Sequence, residues 1–143
     1  MAAIEQKINE QQGHWILARL GKRVLRPGGR ELTNKMIEKL NIGEEDDLVE
    51  FAPGVGFTAS LACAKNPRSY TGVDRNKEAL ALADKRVHHP NKRMILADAS
   101  DTGLPAESAT KVYGEAMLTM QSKLQKKAIV QEAARVLKPG GYY

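Results

Sequence analysis

A chain of 143 residues, with 42% hydrophobic and 27% charged residues, has the size and composition of one soluble globular domain with its own core. No apolar run approaches the roughly 18 residues that a membrane-spanning helix needs, and the single cysteine, Cys63, allows neither an internal disulfide nor a cysteine-rich metal site. The net charge of +5 comes from scattered lysines and arginines, which reads as a solvated basic surface rather than a nucleic-acid footprint.

The first residues, MAAIEQKINEQQGHW, lack an apolar signal core, so a cytoplasmic location is expected. Ile4, Ile8, Trp15, Ile16, Leu17 and Leu20 recur at helical spacing and predict an amphipathic helix over residues 4–20. Pro27, Gly28 and Gly29 break it. A second helix is expected over about residues 31–40, carrying Leu32, Met36, Ile37 and Leu40.

From NIGEEDD onward strands and helices alternate. LVEF (48–51) reads as a strand and TASLACAKN (58–66) as a helix, in which Cys63 is a packed thiol rather than a nucleophile. SYTGVD (69–74) is a second strand, and NKEALALADKRV a helix with Asn76 as its N-cap. RMILAD (93–98) is a third strand, and TKVYGEAML (110–118) contains a fourth. SKLQKKAIVQEAARVL (122–137) is a helix that Pro139, Gly140 and Gly141 should stop. Strands separated by helices imply right-handed crossovers and a mostly parallel sheet, an α/β doubly wound fold.

In such a sheet ligands bind beyond the carboxyl ends of the strands. APGVG (52–56) follows the first strand directly, and its glycines permit positive φ and close approach of main chain to a ligand; tight turns also use glycine for geometry alone. Asp74 ends the second strand 18 residues after Gly56, about where a carboxylate can accept from a ribose diol, and Asp98 ends the third. Gly54, Gly56 and Ala59 also satisfy G-x-G-x-x-A, which would suit a nicotinamide dinucleotide. Glu50, inside the first strand, suits either a ligand with a cationic amino group or a brace for the glycine turn.

These segments resemble the class I S-adenosylmethionine-dependent methyltransferases over about residues 45–143. LVEFAPGVG is similar to their first motif, with Glu50, Ala52, Gly54 and Gly56 on its positions and Pro53 between them. YTGVD is similar to the second, which puts Asp74, followed by Arg75, at the ribose. MILADASDTGLP is similar to the third, which puts Asp98 and Ala99 at the adenine. AARVLKPGG is similar to the helix and turn that lead to the fifth strand.

The resemblance implies a Rossmann-like fold that binds S-adenosyl-L-methionine and methylates a small molecule. Its departures are Ala52 in place of a glycine, and Lys111 where many members carry an aspartate, which puts the fourth strand in doubt. Glu115 lies beyond that strand at the cofactor side, to assist deprotonation or to cap a helix. Arg26, before the PGG break, is a further candidate for the methionine carboxylate. His14, His88 and His89 have no ligand spacing.

No catalytic base stands out. Neither an Asp/Asn-Pro-Pro-aromatic motif nor a Pro-Cys nucleophile is present, so a nucleic-acid acceptor is not expected. The expected organisation is a helical segment, residues 1–44, in front of an S-adenosylmethionine-binding unit, residues 45–143, in one structural domain. That unit should be truncated after the fourth strand and its following helix, lacking the usual C-terminal strands. Strand four would then be an open edge that a homodimer could cover. The alternatives are a module that binds the cofactor without turnover and an NAD-dependent oxidoreductase.

Overall fold

The computed structural model describes residues 28–143. The helix expected over residues 4–20, Arg26 and His14 lie outside them. The elements are α1 (Gly29–Leu40), β1 (Asp47–Phe51), α2 (Phe57–Cys63), β2 (Ser69–Asp74), α3 (Lys77–Arg86), β3 (Lys92–Leu96), β4 (Ala109–Gly114), α4 (Lys123–Val136) and β5 (Leu137–Tyr142). The strands form one sheet in the order β3-β2-β1-β4-β5 with every pairing parallel. The chain winds outward from β1 to β3, then returns to β4 on the other side of β1. That reversal opens a crevice at the carboxyl ends of β1 and β4.

Period-two alternation divides the strands between two cores. Val49, Phe51, Val73 and Val112 pack with Ile129, Ala133 and Val136 of α4. Leu48, Tyr70 and Tyr113 face the other way, onto Ile37 of α1, Ala59, Ala62 and Cys63 of α2, and Val87 beyond α3. Helices therefore cover both faces. Cys63 is a buried free thiol, and burial, with the nearby Glu50 charge, pushes its pKa up to about 12. Such a thiol packs rather than reacts.

Local signals set the helix starts. The Asn76 side chain accepts from the Ala79 N–H at 3.0 Å, and that of Ser122 from the Gln125 N–H at 3.1 Å. Lys111, read as a reason to doubt the fourth strand, is accommodated within a complete β4. Its buried ammonium donates to Asp46 Oδ2 and to the Asn41 carbonyl, each at 2.8 Å.

The expectation that the sheet stops at the fourth strand is corrected. Helix α4 ends at Val136, and the next residues form β5, which pairs with β4. Ala109 pairs with Leu137 and Lys111 with Tyr142, so most of Lys138–Gly141 bulges out between two short pairings. Pro139 lacks a ladder N–H, which explains why the segment reads as a turn. With β5 in place β4 is interior, and the outer strands are β3 and β5.

A candidate ligand cleft at the carboxyl ends of the strands

The main chain changes direction abruptly where β1 ends. The Ala52 N–H still donates to the Val73 carbonyl at 2.7 Å, but Ala52 itself has φ of +54°, a left-handed conformation that costs an alanine about 1–2 kcal/mol. Gly54 follows at +58° and Gly56 at +91°. The two glycines serve different needs. A Cβ on Gly54 would meet open space, so its requirement is conformational. A Cβ on Gly56 would come within 2.9 Å of the Ala83 Cα, so its bareness lets α3 pack close. Helix packing is thus a requirement at Gly56 beside the ligand approach expected from the sequence. Arg86 of α3 secures the turn, donating to the Val55 carbonyl at 3.0 Å with its guanidinium 3.8 Å from the Phe57 ring centroid.

Beyond this turn lies a cleft of about 410 Å³. Of the residues singled out from sequence, Ala52, Asp74, Arg75, Asp98, Ala99 and Glu115 line it; Glu50, Pro53, Gly54 and Gly56 do not. Asp74 closes β2. Its Oδ1 accepts from the Asn76 N–H at 3.0 Å and its Oδ2 from the Gly54 N–H at 3.3 Å. The glycine turn therefore backs the carboxylate, and among the described residues two of its roughly four lone-pair sites have no donor.

Asp98 lies two residues past β3, which ends at Leu96 rather than at Asp98 as read from sequence. Its Oδ1 accepts from the Ser100 N–H at 2.8 Å, the Ser100 hydroxyl at 2.6 Å and Gln125 Nε2 at 3.1 Å. Oδ2 faces Arg75 Nη1 at 3.5 Å. The Ser100 hydroxyl bond outweighs partial burial and holds the Asp98 carboxyl below the ordinary carboxylate range. Ala99 is buried at the cleft floor.

Glu50 faces the opposite core and is 2% exposed. It accepts from the Tyr70 hydroxyl at 2.6 Å and, more weakly, from Tyr113 at 3.4 Å. Burial, reinforced by Glu50, drives both phenol pKa values well above normal, so both remain donors. Glu115, just past β4, gathers hydroxyls from two helices: Thr33 of α1 at 2.6 Å and Thr58 of α2 at 2.5 Å. Rather than serving one helix end alone, it fastens α1 and α2 to the tip of β4. His89 holds the Pro67 carbonyl at 2.8 Å, away from the cleft, and His88 is exposed.

Sequence reading missed Thr33, Thr58 and Gln125, whose partners are brought in by the fold, and Ser100, which bonds Asp98 two residues away. Met117, Met120 and Ile129 supply apolar lining. A second alanine with positive φ, Ala116 at +52°, also lines the cleft, so backbone strain collects here from two strands.

The family model described as "Methyltransferase domain" matches residues 49–143. An uncharacterised protein of Haemophilus influenzae is 35% identical over 136 residues, covering 92% of this chain and 54% of that protein. A ubiquinone/menaquinone biosynthesis C-methyltransferase of Syntrophotalea carbinolica is 29% identical over 106 residues, covering 73% and 45%. Among solved structures, the YcgJ protein of Bacillus subtilis aligns with a TM-score of 0.66 and 27% identity, over 77% of this chain and 47% of that one. The chain spans about half the length of the curated relatives it matches.

Proposed function

The chain belongs to the methyltransferase domain family, whose cofactor is S-adenosylmethionine, and on that premise we propose that it transfers the cofactor's methyl group to a small-molecule acceptor. One observation carries this reading: Asp74, at the end of β2, and Asp98, just beyond β3, line the same cleft. The matched family is one of methyl transfer, which leaves the nicotinamide reading of Gly54, Gly56 and Ala59 without support.

The residues present fit the cofactor. A volume of about 410 Å³ falls within the range of small-ligand sites, and the cleft joins apolar lining to a few convergent acceptors. Asp74, with lone pairs to spare, would accept from the ribose hydroxyls. Asp98 would accept from the adenine amine, with Ala99 beneath the base. The strained main chain from Ala52 to Gly54 and the Glu115 carboxylate would face the methionine end, with Glu50 bracing the β1 tip through Tyr70. When bound, the cofactor supplies an electrophilic methyl group on a sulfonium, so the protein's task is mainly alignment for in-line displacement.

Glu115 already accepts hydrogen bonds from the Thr33 and Thr58 hydroxyls. That engagement favours a second reading, binding without turnover, which a methyl-transfer assay on a metabolite pool separates from the first. Residues 45–143 are proposed as the cofactor-binding unit of a cytoplasmic protein.

Titration calorimetry with S-adenosylmethionine, S-adenosylhomocysteine and NAD tests the assignment. Micromolar binding of the first two is expected, and NAD binding with silence toward them would overturn it. Asp74→Ala should weaken S-adenosylhomocysteine binding by about 1–3 kcal/mol, the scale of losing a charged acceptor. Unchanged affinity would remove Asp74 from the site.

A further inference from the structure

Gln125 occupies the third position of α4, three residues after its N-cap Ser122. A Ser-x-x-Gln pattern at a helix start predicts a capping box, in which the glutamine reaches back to the N-cap N–H. Half of that box is present, the Gln125 N–H donating to Ser122 Oγ. The side chain goes elsewhere. Its amide nitrogen lies 3.1 Å from Asp98 Oδ1 and 3.3 Å from Ser100 Oγ. An ionised carboxylate only accepts, so the amide must present its NH₂ there.

The two oxygens of Asp98 are consequently unlike. Among the described residues, Oδ1 has three donors, from Ser100 and Gln125, while Oδ2 has only the long 3.5 Å contact from Arg75, whose side chain is 63% exposed. Both Asp98 and Gln125 line the cleft. A carboxylate fixed at one oxygen offers the other as a directed acceptor. Such an acceptor favours a purine that presents an exocyclic amine and rejects one that presents a carbonyl, because two facing acceptors leave a desolvated pair unsatisfied.

We propose that Gln125 is a positioning residue that sets base selectivity at this cleft, pinning Asp98 Oδ1 so that Oδ2 selects the amine of adenine over the carbonyl of hypoxanthine. The inference rests on the cofactor reading above. It adds a residue on a different helix, whose sequence context points only to capping.

Calorimetry with S-adenosylhomocysteine and S-inosylhomocysteine tests it, on the wild-type chain, Gln125→Met and Gln125→Lys. All three side chains are unbranched and good helix formers, so a merely structural role responds to both replacements alike. The wild type should prefer the adenosyl compound by about 10- to 100-fold. Gln125→Met keeps the length but loses the donor, and the preference should fall below about fivefold. Gln125→Lys restores a donor and should retain most of it. Should either variant fail to fold, Ser100→Ala, which removes another Oδ1 donor, should also lower the preference. A preference unchanged in Gln125→Met, or lost equally in both variants, overturns the role of Gln125 while the cofactor reading stands. Equal wild-type affinity for the two compounds overturns selection by Asp98. Wild-type silence toward S-adenosylhomocysteine overturns the cofactor reading itself, and this inference with it.

Discussion

Two hollows of similar size lie at opposite ends of the sheet. The one at the carboxyl ends measures about 410 Å³; the other, toward the amino ends and lined by Asp47, Thr71, Asn91 and Arg93 among others, about 380 Å³. Volume does not distinguish them, but the state of their carboxylates does. At the amino ends, Asp47 is held by Arg68 Nε and Nη2, by the Ser69 hydroxyl at 2.7 Å and by Lys138 at 3.4 Å. Asp46 beside it takes Lys111 and the Gly43 N–H, each at 2.8 Å. At the carboxyl ends, Asp74 accepts only main-chain N–H groups among the described residues, and Asp98 leaves one oxygen nearly open. Saturated carboxylates hold a sheet together, whereas partly satisfied ones can take a ligand.

Breaking the saturated end should be the costlier change. Lys111→Ala removes the ion-pair partner of Asp46, leaving its carboxylate to the Gly43 N–H and the Thr110 hydroxyl, and takes the donor from the Asn41 carbonyl; a loss of about 3 kcal/mol in denaturant-derived stability is expected. Affinity for S-adenosylhomocysteine should change by less than about threefold. A variant as stable as the wild type would show that water replaces the ammonium, and the contrast between the two ends would lose its basis.

The glycine turn offers the next test, because its two glycines are bare for different reasons. Gly56→Ala pushes a methyl toward the Ala83 main chain in a left-handed conformation, and about 2–3 kcal/mol of stability should be lost. Gly54→Ala meets no neighbour and should lose only about 1 kcal/mol. Equal losses at the two positions would mean that φ alone governs the turn.

How much of this was legible in the sequence follows from the range of each interaction. Asn76 as a cap and the strands β1 and β2, set between helices, are local patterns and were readable. Asp74 and Asp98 were readable because strand ends and spacing place them. For Glu50 the sequence left a ligand role and a bracing role side by side; only the fold reveals Tyr70 and Tyr113 on the same buried face. β5 was missed because Pro139, Gly140 and Gly141 carry every mark of a turn, and its two short pairings need β4 alongside. Thr33 and Thr58 were invisible for the same reason, since their shared partner Glu115 lies 82 and 57 residues away.

Acid should expose the structural carboxylates first. The Arg68 hydrogen bond holds Asp47 down to about 2, and Arg135 does the same for Glu132. Both folded values lie below the unfolded carboxylate values near 4, so the stabilisation is fully present above about pH 4–5 and is lost as pH falls toward 2. Melting temperature should therefore drop across that window. Asp47→Asn should lower it by about 2–4 °C at pH 6, since Arg68 is solvent-screened, and by little at pH 2. An equal drop at both pH values would assign the effect to packing rather than charge.

The smallest effect separates strain from function at the carboxyl end itself. Ala52 is held by its N–H bond to Val73 in register with β2, yet must turn left-handed at once to begin the glycine turn. An alanine there costs about 1–2 kcal/mol, and the greater freedom of an unfolded glycine returns about 0.5–1 kcal/mol of that on replacement. Ala52→Gly should thus stabilise the fold by about 0.5–1 kcal/mol, a rise of about 1–3 °C in melting temperature. Ala116→Gly, at the other strained cleft position, should gain a similar amount. If the strain only tolerates a methyl, S-adenosylhomocysteine affinity stays within about twofold in both variants. A stabilised Ala52→Gly that binds several-fold more weakly would instead show that the alanine, by stiffening the main chain beside Asp74, keeps the cleft formed before any ligand arrives.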